Sequence, residues 1–265
     1  MSDIIKAIIL GIVEGLTEFL PVSSTGHLIL VNQWISFSKE FTVLFDIFIQ
    51  LGAILAVIFF FRKDLFPKKK ELIFEKEFVS FWSKILTAFV PAVILGLIFG
   101  DIIEEHLFNA VTVSISLFIG GILLLVFDRK NRITAISSVS ELPYKVALYI
   151  GLFQCLAMIP GTSRSAATII GALVLGCSRK LAAEFSFYLA IPTILAASVY
   201  SILKSPVSFS GNDIIVLLVG FLISFVVAMG VIKFLLDFIQ KHTFRVFGYY
   251  RIVLALLMVI WFWIA

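Results

Sequence analysis

Long apolar runs, separated by short polar stretches, make up most of the chain. A helix needs roughly 20 mostly apolar residues to cross about 30 Å of hydrocarbon. Six runs reach that length, at about 41–62, 81–100, 107–127, 183–203, 212–234 and 248–265. Two further apolar stretches, about 4–35 and 145–176, are too long for one crossing and are interrupted in the middle. The first interruption reads Pro21-Val-Ser-Ser-Thr-Gly-His27, the second Pro160-Gly-Thr-Ser-Arg-Ser165. Irregular backbone at membrane depth survives only where protein or a watery cavity satisfies it. Each broken stretch is therefore expected to be a re-entrant hairpin of two half-helices that leaves on the side it entered.

Composition agrees with this reading. Hydrophobic residues make up 61% and charged residues 14%, with a mean hydropathy of +1.11. A soluble globule carries about 25% charged residues to solvate its surface. A water-soluble domain, a disordered chain, a secreted disulfide scaffold and a coiled coil are all excluded, and an integral membrane protein remains. The net charge of +4 does not signal nucleic acid, because the basic residues gather in loops between apolar runs and act as orientation signals. They are Arg62, Lys63, Lys68, Lys69, Lys70 and Lys76; Arg129, Lys130, Arg132 and Lys145; Arg179 and Lys180; Lys241 and Arg245. The opposite loops hold Asp101, Glu104 and Glu105 in one case and a single Lys204 in another. Six crossings and two re-entrant hairpins put every basic loop on the cytoplasmic side and both termini outside. Cys155 and Cys177 lack metal-type spacing and read as small buried hydrophobes.

The chain also repeats itself as a single membrane domain of two halves, about 1–140 and 141–265. Gly11-Ile-Val-Glu-Gly-Leu resembles Gly151-Leu-Phe-Gln-Cys-Leu, and Ile54-Leu-Ala recurs at Ile194, both at an offset of 140. Pro21 and Pro160 mark corresponding breaks within one residue of that offset. Each half holds one hairpin plus three spans. Three is odd, so the second half is expected upside down relative to the first, with a site near the midplane where the two breaks meet.

The candidate chemistry lies at those breaks. Glu14 and Glu18, four apart, project from one face of the first half-helix. Each ionised carboxylate at membrane depth costs about 2.5–3.5 kcal/mol on insertion scales, so the pair calls for a partner unless it reaches water at the interface. Oxygen ligands and a phosphate-bearing substrate suit Mg²⁺ or Ca²⁺. Ser23, Ser24 and Thr25 follow, then Gly26 and His27; one hydroxyl can cap the next half-helix, whose start is a ready anion site. In the second break Thr162, Ser163, Arg164 and Ser165 open another half-helix, with Thr168 one turn on. The guanidinium of Arg164 suits phosphate oxygens, and without an anion it needs a carboxylate, for which Glu14 or Glu18 could serve. Gln154 and Met158 stand where the first half has Glu14 and Glu18, so one half is expected to bind metal and the other phosphate.

The stretches Glu14-Gly-Leu-Thr-Glu18-Phe-Leu-Pro-Val-Ser-Ser-Thr-Gly-His27 and Pro160-Gly-Thr-Ser-Arg-Ser-Ala-Ala-Thr168 resemble the two signatures of the undecaprenyl-diphosphatase family, the bacitracin-resistance proteins of bacteria. The resemblance runs through the chain, including Gln50-Leu-Gly and Glu184-Phe-Ser-Phe. It implies hydrolysis of undecaprenyl diphosphate to the monophosphate and inorganic phosphate at the outer face of the cytoplasmic membrane, with a divalent metal. By the same resemblance Glu14 and Glu18 are metal or acid/base groups, Ser23, Ser24 and His27 are site residues of the first loop, and Ser163, Arg164 and Thr168 contact the diphosphate. Thr25 and Ser165, beside them, complete the expected substrate-binding set. Expected partners are the polyprenyl diphosphate lipid and the surrounding membrane, without nucleic acid, in a possible homodimer. Ser24, His27 and a water all remain open as the nucleophile. Two rivals stand beside this expectation. A transporter or flippase of polyprenyl (di)phosphate would share the inverted repeat. A phosphatase of the two-histidine type would need a second histidine near Ser163-Arg164, and His106 and His242 are both expected in loops.

Overall fold

A computed structural model describes residues 1–66, 75–129, 134–204 and 211–264. The described chain is helical throughout: α1 (Asp3–Thr17), α2 (Ser24–Val31), α3 (Lys39–Phe60), the short α4 (Arg62–Leu65), α5 (Lys76–Leu107), α6 (Ala110–Phe127), α7 (Tyr144–Cys155), α8 (Arg164–Val174), α9 (Arg179–Lys204), α10 (Gly211–Lys241) and α11 (Arg245–Ile264). A 3₁₀ turn, Leu156–Met158, follows α7. Only helices satisfy every backbone group within their own segment, which is why an apolar chain of this kind folds so.

Among the described residues six helices, α3, α5, α6, α9, α10 and α11, are long and apolar enough to cross a membrane. They fall on the six runs expected from the sequence, but the boundaries shift. Helix α5 continues to Leu107, so Asp101, Glu105 and His106 occupy its last turns instead of a loop. Lys241 and Lys204 end α10 and α9, and Arg179 and Arg245 begin α9 and α11. The charges still cluster at helix ends, where long basic side chains reach the headgroup region. Lys68, Lys69, Lys70, Lys130 and Arg132 lie outside the described residues.

Large apolar side chains cover the outer surface; Leu97, Val111 and Leu203 are 69%, 68% and 82% exposed. Lipid tails solvate such a surface as well as another helix would, so helix association has to come from close packing and hydrogen bonds. The packing pairs the halves. Helix α1 packs on α10, α7 on α5, α6 on α11 and α3 on α9. Glycine permits the closest of these approaches. A Cβ at Gly11 would meet Gly220 O at 2.7 Å, and one at Gly151 would overlap Ala88 O.

Candidate active site

Two breaks of the same local build face each other. Helix α1 ends at Thr17, with the Glu18 N–H still donating to Glu14 O (2.9 Å). After Pro21 the chain turns at Ser23, whose φ of 74° and ψ of 97° no ordinary L residue prefers, and the Ser23 hydroxyl accepts from Gly26 N as the cap of α2. The second break repeats this at an offset of 140. Ser163 has φ 69° and ψ 120°, and its hydroxyl accepts from Ala166 N as the cap of α8. Among the described residues these are the two non-glycine positions with positive φ. Such backbone costs about 1–3 kcal/mol per residue and persists only where its surroundings hold it.

Glu18 joins the breaks. Its Oε2 accepts from Ser24 Oγ at 2.6 Å, and its Oε1 accepts from Arg164 Nη2 at 2.8 Å, across 146 residues of chain. Arg164 Nη1 donates to Ser186 O of α9 at 2.9 Å, and the guanidinium lies 5.8 Å from the Phe19 ring centroid. Its Nε is buried without a partner. Of the two carboxylates that could pair with Arg164, Glu18 does so. Glu14 lies beside Glu18, whose charge acts on it; it is fully buried, and neither of its carboxylate oxygens accepts from a donor among the described residues. Ser165 Oγ donates to Leu20 O at 2.9 Å and lies 3.0 Å from Ser163 Oγ, which ties the second break to the first. Thr168 Oγ1 is 2.7 Å from Ser186 Oγ, one turn below the loop tip. Thr25 lies half-buried in the first turn of α2.

His27 is engaged on both sides. Its Nδ1 is 2.7 Å from Ser23 O, its Nε2 is 2.6 Å from Tyr250 Oη, and the two rings stack at 5.6 Å. It supports the carbonyl of the strained serine and bonds neither Glu18 nor Ser24.

The residue that the sequence reading passed over is Arg251 of α11. It is wholly buried, and among the described residues no carboxylate pairs with it. Its guanidinium faces only backbone carbonyls: Pro21 O at 3.3 Å, Gly161 O and Thr162 O at 3.0 Å each, Leu117 O at 3.2 Å and Ser116 O at 3.1 Å. One side chain thus grips both breaks, and Gly120 leaves room for it, since a Cβ there would run into the guanidinium. An arginine inside the last apolar run was a readable signal, because intramembrane charges default to a function. The same reasoning applies to Asp46 within the first run, which acts on the charge of Glu14.

The donor set suits a hard divalent cation. Glu14 offers two bare oxygens in a dry place, and Mg²⁺ is held by one or two carboxylates with water and phosphate completing its shell. Among the described residues no three His, Cys, Asp or Glu side chains converge as a ready-made cage. A separate open cavity of about 560 Å³, lined by Lys63, Asp64, Glu184 and Tyr188 among others, includes none of the residues at the two breaks.

The chain matches the family described as "Bacitracin resistance protein BacA" over residues 7–257. It is 48% identical over 268 residues to the undecaprenyl-diphosphatase of Acetivibrio thermocellus, covering 99% of this chain and 98% of that one. It is 49% identical over 268 residues to undecaprenyl-diphosphatase 1 of Clostridioides difficile, with 100% and 98% covered. To the undecaprenyl-diphosphatase of Enterococcus faecalis it is 46% identical over 266 residues, with 97% and 96% covered. With nearly its whole length matched and both polar breaks present, this multi-helix membrane protein belongs to the BacA bacitracin-resistance family.

Proposed function

We propose that the protein hydrolyses undecaprenyl diphosphate to undecaprenyl phosphate and inorganic phosphate in the bacterial cytoplasmic membrane, recycling the lipid carrier of cell-wall synthesis and thereby conferring bacitracin resistance. The names of its relatives support this reading, and one geometric observation carries it. Glu18 holds the Ser24 hydroxyl and the Arg164 guanidinium at once, which is a nucleophile, its base and a phosphate-binding cation in one contact.

Ser24 Oγ passes its proton to Glu18 Oε2 and attacks the terminal phosphorus. The Oγ–P bond forms as the bridging P–O bond breaks, and undecaprenyl phosphate leaves while the proton on Glu18 passes to solvent. A water then gives a proton to Glu18 and attacks the phosphoserine; inorganic phosphate forms, and Ser24 recovers its proton from Glu18. A guanidinium has five N–H donors. Two of those on Arg164 are taken by Glu18 and Ser186, and the others, the unpaired Nε–H included, meet phosphoryl oxygens. The starts of α2 and α8 add backbone donors. Ser23, Thr25, Ser163 and Ser165 border the phosphate, whereas Thr168 and His27 position Ser186 and Ser23. A divalent cation, Mg²⁺ or Ca²⁺, held at Glu14 beside Glu18, would offset the charge of the diphosphate. Positioning and charge stabilisation are most of what phosphoryl transfer asks of a protein.

The two halves, 1–140 and 141–265, are read as an inverted repeat with re-entrant hairpins, both termini outside and the site open to the outer face. The matched strain at Ser23 and Ser163 supports this, as does the crossed packing of α1 on α10 and α7 on α5.

The test is phosphate release from undecaprenyl diphosphate by purified protein in detergent, where no gradient exists to drive transport. Wild-type protein should release phosphate, and Arg164→Ala should not. Equal rates from the two proteins would overturn the proposal.

A further inference from the structure

Tyr250 and Arg251 are consecutive residues of α11, and both reach the first break. Arg251 donates to Pro21 O, whereas the Tyr250 hydroxyl lies 2.6 Å from His27 Nε2. His27 Nδ1 in turn lies 2.7 Å from Ser23 O. A carbonyl oxygen only accepts, so Nδ1 carries the proton in that contact. The neutral imidazole then has its lone pair on Nε2, and the Tyr250 O–H donates to it. The chain of donors runs one way, from Tyr250 through His27 to the Ser23 carbonyl. Both ring nitrogens are thereby occupied. His27 keeps no free lone pair with which to attack phosphorus or to take a proton from Ser24.

The second break forms the same turn without this brace. Ser163 has φ 69° and ψ 120°, against φ 74° and ψ 97° at Ser23. Ala167 stands 140 residues after His27, so the second break has no imidazole at that position. Its Ser163 carbonyl accepts from Ala167 N at 3.0 Å, while the matching His27 N is 3.3 Å from Ser23 O. A positive-φ serine therefore does not depend on an imidazole, and the brace belongs to the copy that carries Ser24. The Ser23 carbonyl is part of the peptide group leading into Ser24, whose Oγ is 2.6 Å from Glu18 Oε2. Rotating that peptide moves the hydroxyl off the carboxylate, and a misplacement of about 1 Å can cost about a hundredfold in rate. Arg251 acts on both breaks at once, whereas the Tyr250 hydroxyl reaches the first break through His27.

We propose that Tyr250 is a positioning residue for the reaction: its hydroxyl holds His27 as the Nδ1–H tautomer, which fixes the Ser23 carbonyl and so aims Ser24 at Glu18. The effect on turnover rests on the phosphatase reading, but the hydrogen-bonded chain does not. Tyr250 is 46% exposed, so removing its hydroxyl opens no cavity and should leave the fold intact.

Full-length protein in detergent, with ¹⁵N in its histidine rings, gives two readouts from one sample: imidazole nitrogen shifts by NMR, and phosphate release from undecaprenyl diphosphate. The chain has three histidines, and the His27 signals are those lost in His27→Ala. Wild type should show a protonated Nδ1 and an unprotonated, hydrogen-bonded Nε2. Tyr250→Phe should move Nε2 toward its unbonded value and keep Tm, while kcat falls about tenfold or more and KM stays within about twofold. In a His27→Ala background, Tyr250→Phe should change kcat by less than about twofold, because a residue that acts through His27 has nothing left to act on. An Nε2–H tautomer in wild type, wild-type kcat in Tyr250→Phe, or an equal loss in both backgrounds would overturn the proposal. Wild type with the expected ring signals, and the expected shift in Tyr250→Phe, but no phosphate release would overturn the phosphatase reading and uphold the chain from Tyr250 to Ser23.

Discussion

The two breaks share a backbone and carry different side chains. Both turn at a serine held at positive φ, both use that serine to cap the following helix, and both are gripped by Arg251. At the next position the first hairpin carries Ser24 and the second Arg164. One turn before the break the first carries Glu18 where the second has Met158. The difference teaches that one local backbone can bring two helix starts together while the side chains it carries are unlike; in the proposed reaction that unlikeness is what supplies both nucleophile and phosphate-binding cation. A symmetric pair of first hairpins would crowd carboxylates without a guanidinium. A symmetric pair of second breaks would bring two guanidinium groups together without a carboxylate.

The largest effect should come from removing what only the first hairpin supplies. Ser24→Ala is expected to lower kcat on the order of a thousandfold or more, with the protein still eluting as a folded species, and a loss below about tenfold would assign the attack to water. Next comes the contribution of the second hairpin. Arg164→Lys keeps the charge but loses the fork that spans Glu18 and Ser186, so turnover should fall about a hundredfold or more at unchanged thermal stability. Near-wild-type turnover would mean that the second hairpin is only structural.

Arg251 tests the element common to both. Arg251→Met removes the donor from carbonyls on both breaks and should lower stability by about 3–5 kcal/mol, seen as a fall in Tm, along with activity. Arg251→Lys, which restores charge but reaches fewer carbonyls, should recover stability more than turnover. Equal recovery of both would reduce Arg251 to a packing residue. The smallest effect should come from the strained serines. Ser23→Gly and Ser163→Gly each relieve positive φ but lose a cap, for a net change below about 2 kcal/mol. Thermal melts should show the same sign in both; opposite signs would break the equivalence of the two breaks.

Much of this arrangement was legible beforehand, for particular reasons. The apolar runs gave six spans because hydrocarbon thickness sets a length that composition alone can meet. Proline followed by serine gave both breaks, and the repeat matched Pro21 to Pro160 within one residue of the 140-residue offset. Span ends were read less well, since α5 absorbs the acid-bearing stretch 101–105 into its last turns. Arg251 and Asp46 were missed because each sits alone in an apolar run, without a motif to draw attention to it. The pairing of Glu14 with Glu18 followed from helical spacing, which says that two side chains share a face but not which of them meets a partner from elsewhere in the chain.

The sequence by itself determined that the protein lives in a membrane, that its polar chemistry gathers at two breaks in apolar stretches, and that the two breaks carry different polar groups. These properties are local, written in runs, breaks and spacings of a few residues. Only the tertiary structure decided that Glu18 bridges Ser24 and Arg164, that Glu14 is left without a donor, that His27 is spent on Ser23 and Tyr250, and that Arg251 clamps both breaks. Each of those contacts joins segments far apart in the chain, and in a dry interior every charge must find its partner wherever packing delivers one. Periodicity cannot foresee that choice, because it is made by the helices that happen to be adjacent.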